Sequence, residues 1–206
     1  MDGVFMKKII SLMALLALFA SIWFVGVLIS DREKLEKELV RLHVVGASNS
    51  EHDQSVKLSV RDAVLQSMEQ MLDGITDAEQ AKAYIQTHLP QIEAAANKAL
   101  AELGEAKQAA VSFMKEEFPV RQYDTFTLPS GIYDSLRIVI GEGEGRNWWC
   151  VVFPRMCYSA TSSGVKDVTA GAGFSDGLTN SITGEYKVRF FFLDMLGRAQ
   201  NFFHWN

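Results

Sequence analysis

The chain has 206 residues and a formal net charge of −5, which bounds it to one domain of ordinary size plus an appendage. Apolar residues make up 48% and aromatics 11%, enough for a packed core and too much for a disordered chain. Mild acidity without a Lys/Arg cluster excludes an ordinary nucleic-acid surface and leaves a basic or neutral protein as the partner that charge would steer.

Ile9 to Ile29 reads "IISLMALLALFASIWFVGVLI", with no charge, no Pro and one Gly. As a helix it reaches about 31 Å, the thickness of a bilayer core. Lys7 and Lys8 precede it and the mixed "DREKLEKE" follows, so the positive-inside bias sends the rest of the chain out of the cytoplasm. A core helix of this length would carry a polar residue larger than Ser. Residues 1–30 therefore read as an export signal, either cleaved or kept as an anchor through residues 9–29. Residues 31–38 alternate charge and read as a solvated juxtamembrane segment.

"LVRLHVVG", Leu39 to Gly46, alternates Val40, Leu42 and Val44 with Arg41 and His43, the pattern of a half-buried strand. Ser50 with Asp53 forms a capping box for a helix that runs through Val56, Val60, Val64 and Met68 and stops at Gly74. Thr76 with Glu79 opens a second helix by the same logic, and Pro90 starts a third that ends at Gly104. Strands follow over Ala109–Phe118, Ile132–Gly141 and Asn147–Phe153. The last is apolar on both faces and reads as a central strand, joined to its predecessor by a Gly-rich hairpin, "GEGEGR". Residues 159–185 are rich in Ser, Thr and Gly and read as a linker or loop. Residues 186–206 predict a terminal helix that either docks on the core or serves as a partner-binding tail. The expected fold is α+β. It combines an N-terminal export or transmembrane helix with a two-layer domain over 39–158, a mixed or antiparallel sheet of about four strands covered by three helices plus the C-terminal helix.

No catalytic constellation stands out. The glycines of "GEGEGR" lack a following helix and carry Glu142 and Glu144, which a phosphate cradle would repel. Cys150 and Cys157 have no further ligands at zinc spacing. An extracytoplasmic setting permits a disulfide between them, worth about 2.5 kcal/mol on the chain-entropy estimate, and two buried thiols are the alternative. Trp148 and Trp149 point to opposite faces; one fills the core, and the other either packs or offers a contact anchor. No cofactor, metal ion or small-molecule substrate is implied.

Three stretches carry a family likeness. "VRLHVVGASNSEHDQSVKLSVRDAVL", "FPVRQYDTFTLPSGIYDSLRIVIGEGEGRNWWCVVFPRMC" and "KVRFFFLDML" together resemble stage II sporulation protein R, with a departure around Ser48 and Asn49, where the family pattern "RLHVIANSDS" differs. The resemblance implies a signalling protein rather than an enzyme. It implies export from the forespore into the space between two septal membranes, and activation there of a membrane-embedded aspartic protease that processes pro-sigma-E in the mother cell. The resemblance assigns no contact residues; the candidates, chosen by position, are Arg41 and His43 on the first strand, Asn49 and Asp53 at the strand–helix junction, and Arg146, Asn147 and Trp148 at the glycine segment. The rival readings are an extracytoplasmic hydrolase or thiol enzyme using Cys150, and a membrane-anchored envelope-binding module.

Overall fold

The computed structural model describes residues 3–156, 162–184 and 187–204. Cys157 lies outside them. Helix α1 (Gly3–Glu38) leads into strand β1 (Val40–Val45), and helices α2 (Glu51–Met71), α3 (Ala78–Thr87) and α4 (Leu89–Glu102) follow. Strand β2 (Ala109–Phe118), a small ribbon of β3 (Arg121–Gln122) and β4 (Thr127–Leu128), β5 (Gly131–Ile140) and β6 (Asn147–Phe153) come next. The chain closes with α5 (Ser162–Gly171), α6 (Asp176–Ile182) and α7 (Lys187–His204).

The expected α+β class, N-terminal apolar helix and four-stranded mixed sheet are all present. The strand order is β2-β5-β1-β6. β1 runs parallel to β5, with Leu42 opposite Leu136 and Val44 opposite Ile138. It runs antiparallel to β6, with Leu42 opposite Cys150. Three helices between β1 and β2 supply the long crossover that a parallel β1–β5 pair requires.

Val40, Leu42, Val44, Leu136, Ile138 and Val152 line one face of the sheet and pack under Val60 and Val64 of α2, Ile85 of α3 and Ile92 and Leu100 of α4. This is the layer that the helical periodicity predicts. Ser50 caps α2 by accepting from the Asp53 amide at 3.1 Å. The cap of α3 is Asp77, which accepts from Gln80 N at 2.8 Å, not Thr76; one residue's shift puts a carboxylate at the helix N-terminus, where charge favours it.

The opposite face carries a second core: Phe118, Phe126, Leu128, Tyr133 and Val151 against Leu28 and Leu35 of α1, Val165 of α5, Leu178 and Ile182 of α6 and Leu193 of α7. Helices therefore cover both faces. β1 is buried along its whole length rather than half-buried. Residues 31–38 are solvated on one face only: Glu33 and Lys37 are exposed, but Leu35 shares a helix face with Leu28 and seals the second core, while Asp31 and Arg32 are buried beside them. Residues 159–185 are not a loop throughout. Ser175 accepts from Leu178 N at 3.1 Å to start α6, and Val165, Leu178 and Ile182 supply the apolar face that holds α5 and α6 in place.

The glycine segment also departs from expectation. β5 and β6 are not a hairpin, because β1 lies between them, and β6 is an edge strand rather than a central one. "GEGEGR" crosses the end of β1 instead. Gly145 donates its N–H to Gly46 O at 2.8 Å, and Glu144 to Ala47 O at 3.3 Å. A Cβ on Gly145 would sit 2.4 Å from Ser48 O and 2.7 Å from Gly46 O, so only glycine lets the two backbones approach this closely. That crossing shapes the surface at the carboxyl end of β1.

Candidate functional site

Five of the seven expected contact residues meet where β1 ends, α2 begins and β6 starts. Asn49 Oδ1 accepts from Arg146 N at 2.9 Å, tying the α2 entry to the glycine crossing. Lys57 donates to Arg146 O at 2.8 Å from below. Asn49, Arg146 and Asn147 are exposed, and Trp148 is half-buried against the first core. The Arg61 guanidinium lies 4.8 Å over the Trp148 ring, on the outer face of α2. The result is a polar rim with one aromatic face and one stacked cation. Residues of that kind recur as anchors in protein interfaces.

Asp53 stands at the edge of this rim but is buried by its partners. Lys107 Nζ reaches its Oδ1 at 2.5 Å and Ser48 Oγ donates to its Oδ2 at 2.5 Å. His52, Asp53 and Glu105 offer ligand atoms within 4.8 Å of one another, the geometry of a small cation site. The Lys107 ammonium already fills that place, since it also lies 3.5 Å from Glu105 Oε2. Lys107, then Ser48, hold the Asp53 carboxyl at about 2, below its ordinary 3.8. A carboxyl lowered on folding contributes stability that is present above 3.8 and lost as pH falls through about 2. The thermal midpoint, followed by circular dichroism, should therefore drop across that window. Asp53→Asn should flatten that part of the profile; an unchanged profile would show that the pair adds nothing.

Arg41 and His43 are not on the rim. They project from β1 into the second core, because alternation puts them on the face opposite Val40, Leu42 and Val44. Arg41 is 0% exposed. Its guanidinium lies 4.0 Å over Phe118, and Nη2 donates to Tyr123 Oη at 2.9 Å. The β3–β4 ribbon presents that Tyr123 and also lays Arg121 3.5 Å over Trp149. His43 Nδ1 meets Glu116 Oε1 at 2.7 Å, and Nε2 meets Asn147 Oδ1 at 2.9 Å. Glu116 Oε2 accepts from Ser135 Oγ at 2.8 Å, and Arg137 lies 3.4 Å from Oε1. Burial pushes the Glu116 carboxyl up, but His43, Ser135 and Arg137 together outweigh it and leave it below the usual carboxylate range.

Ser, His and Glu side by side invite comparison with a hydrolase triad. The wiring is wrong for one. Ser135 donates to Glu116, not to His43, and is fully buried. Both His43 nitrogens are already engaged by Glu116 and Asn147, so neither is available to take a proton from a nucleophile. The network is a brace with His43 and Ser135 buried at its centre, running from the exposed Asn147 of the rim to the partly buried Glu116 of strand β2. Cys150 is buried under α2 and α4 and is disulfide-bonded, not a free thiol.

The sequence singles out five residues that the fold brings together, and it does not show the brace. Glu116, Ser135, Arg137 and Tyr123 lie on elements distant in sequence. The available signal was the pair Arg41 and His43 on an otherwise apolar strand, which demands buried partners.

A family model described as stage II sporulation protein R matches residues 36–163. The chain belongs to that family. The stage II sporulation protein R of Bacillus subtilis (strain 168) is 35% identical over 127 residues, covering 62% of this chain and 57% of the relative. The matched part thus spans little more than half the length of that curated relative. No solved structure matches the chain. Membership in the stage II sporulation protein R family gives the chain a sporulation role. The family region contains the whole rim and the whole brace, and it begins in the last turn of α1. The apolar run and α7 lie outside it.

Proposed function

We propose that this sporulation protein is an exported signal that activates the membrane-embedded aspartic protease processing pro-sigma-E, acting from the space between the two septal membranes by docking rather than by catalysis. The observation that carries this is the family match over 36–163, which takes in every rim residue. Two structural features support it. α1 is apolar and outward-facing along its first two thirds, with a span near the N-terminus long enough to cross a bilayer. Beyond it, Arg32 lies beside Ser130 O, Val40 pairs with Asp134 and Val45 with Val139, so α1 and β1 advance in the same sense along β5. The rim therefore stands about 16 Å past the start of β1, at about 3.3 Å per residue, on the side remote from the bilayer that holds α1. A domain carried by one membrane would present it to a protein in the membrane opposite.

Activation requires tighter binding to the active state of the protease than to the inactive one. Moving an equilibrium from 1:99 to 99:1 needs about 5.5 kcal/mol of differential affinity. Three anchors of about 2 kcal/mol each would supply that, and Trp148, Arg61 and Arg146 are the rim residues of the right type. The test is to supply the folded domain outside cells carrying the protease and pro-sigma-E and to follow processing by immunoblot. Processing is expected, and it should survive the double change Cys150→Ser with Cys157→Ser in any folded sample, because a ligand loses at most stability. Loss of processing by a folded double variant would favour a thiol enzyme. Silence from the folded unmodified domain would exclude the signal.

A further inference from the structure

We infer that α7 is an interfacial helix that lies flat on the bilayer beside the point where α1 emerges, fixing the orientation of the domain. The inference rests on the reading that α1 sits in the membrane. Its own evidence is the placement of α7.

The inner face of α7 is firmly docked. Asp194 accepts from Ser130 N at 2.9 Å and from Ser130 Oγ at 2.7 Å, and Leu193 is buried in the second core. The outer face is apolar and bare. Val188, Phe191, Met195 and Phe202 recur at spacings of three, four and seven on one side of the helix, with Phe203 next to them, and Val188, Phe191 and Phe202 are 70%, 62% and 67% exposed. A single exposed phenylalanine is ordinary, but a continuous stripe of this kind in water signals a missing apolar partner.

Contacts with α1 identify that partner. Arg189 bonds Asp31, and Gln200 accepts from Arg32 Nε at 2.9 Å. Those α7 residues are eleven apart, about 16 Å along a helix, yet they bind neighbouring residues of α1. α7 therefore crosses α1 steeply instead of running beside it. Between them, one turn past Arg189, Phe192 meets Phe24 edge-on at 5.8 Å. Phe24 lies five residues inside the apolar run that ends at Ile29, a depth of about 7 Å. Amphipathic helices that lie in a bilayer interface bury their apolar face about 5–10 Å. Trp23, 74% exposed at the same level of α1, is the residue type that collects at that depth. A helix across the anchor, at interfacial depth, with its apolar stripe turned away from the domain, has the bilayer as its occupant.

The test places a fluorescent coumarin amino acid at Met195, at Leu103 or at Leu16 of the full chain, reconstituted in phosphatidylethanolamine–phosphatidylglycerol vesicles with brominated acyl chains. Quenching at Leu16 by deep bromines and at Met195 by bromines near the top of the chain is expected, with none at Leu103, which ends α4 on the opposite side of the sheet. The double change Phe191→Ser with Phe202→Ser should lower the quenching at 195 and leave that at 16 intact. Quenching at 16 without quenching at 195 overturns the placement of α7 and leaves the anchor standing. No quenching at either position overturns both. A probe at 195 shielded from aqueous iodide yet untouched by bromolipid would mean that protein, such as a second copy, covers the stripe, and would also overturn the inference.

Discussion

A chain trimmed to begin at Leu39 is expected to lose about 4 kcal/mol or more of stability relative to one trimmed to begin at Gly26, read from urea melts by tryptophan fluorescence. The final third of α1 belongs to the domain. Leu28 and Leu35 are nearly or fully buried in the second core, and burying a leucine is worth about 1.5–3 kcal/mol. Their loss would open Tyr133, Phe118 and Leu193 to water. It would also strip Arg189 of Asp31, and Ser130 O and Leu193 O of the Arg32 guanidinium. Equal midpoints for the two chains would show that the end of α1 only lies alongside. If α1 were cleaved, a cut before Leu28 would leave the second core its two leucines, whereas a cut after Glu38 would remove both.

The second large effect is at Glu116. Glu116→Ala should destabilise the protein by about 1–3 kcal/mol, the usual cost of leaving largely buried hydrogen-bonding groups without their partner. His43, Ser135 and Arg137 would all lose their shared acceptor. Glu116→Gln should cost less, because an amide oxygen still accepts from Ser135. Melts of the two variants, compared with the unmodified chain, check this order. A near-neutral Glu116→Ala would mean that water replaces the carboxylate and that the brace is not structural.

The first core was legible in the sequence because it is built from local signals. Val56, Val60, Val64 and Met68 repeat at helical spacing behind the Ser50 cap, and Leu136, Ile138 and Ile140 alternate on β5. The second core was not, because its parts are scattered over α1, the β3–β4 ribbon, α5, α6 and α7. Leu35 sits among charges, so "DREKLEKE" looks solvated until a sheet face needs covering. The order of the strands was hidden for a related reason. A short Gly-rich connection between two strands usually means a hairpin, and nothing local in "GEGEGR" announces that β1 will enter between them. The rim was partly visible: Asn49, Asp53, Arg146, Asn147 and Trp148 do converge. Arg41 and His43 were read as surface residues because strand alternation assigns a polar face to solvent. Here the opposing helices cover that face, and the two side chains find rings and a carboxylate inside.

The most direct measurement reconstitutes the membrane-embedded protease in vesicles with pro-sigma-E on the inner side and adds the full chain, seated in separate vesicles with its domain outward. Cleavage that appears only with both proteins present, rises with the added chain and weakens when Trp148 and Arg146 are replaced by Ala is the predicted result. Cleavage of pro-sigma-E by the chain without the protease, or a protease left silent by the folded chain, would contradict it.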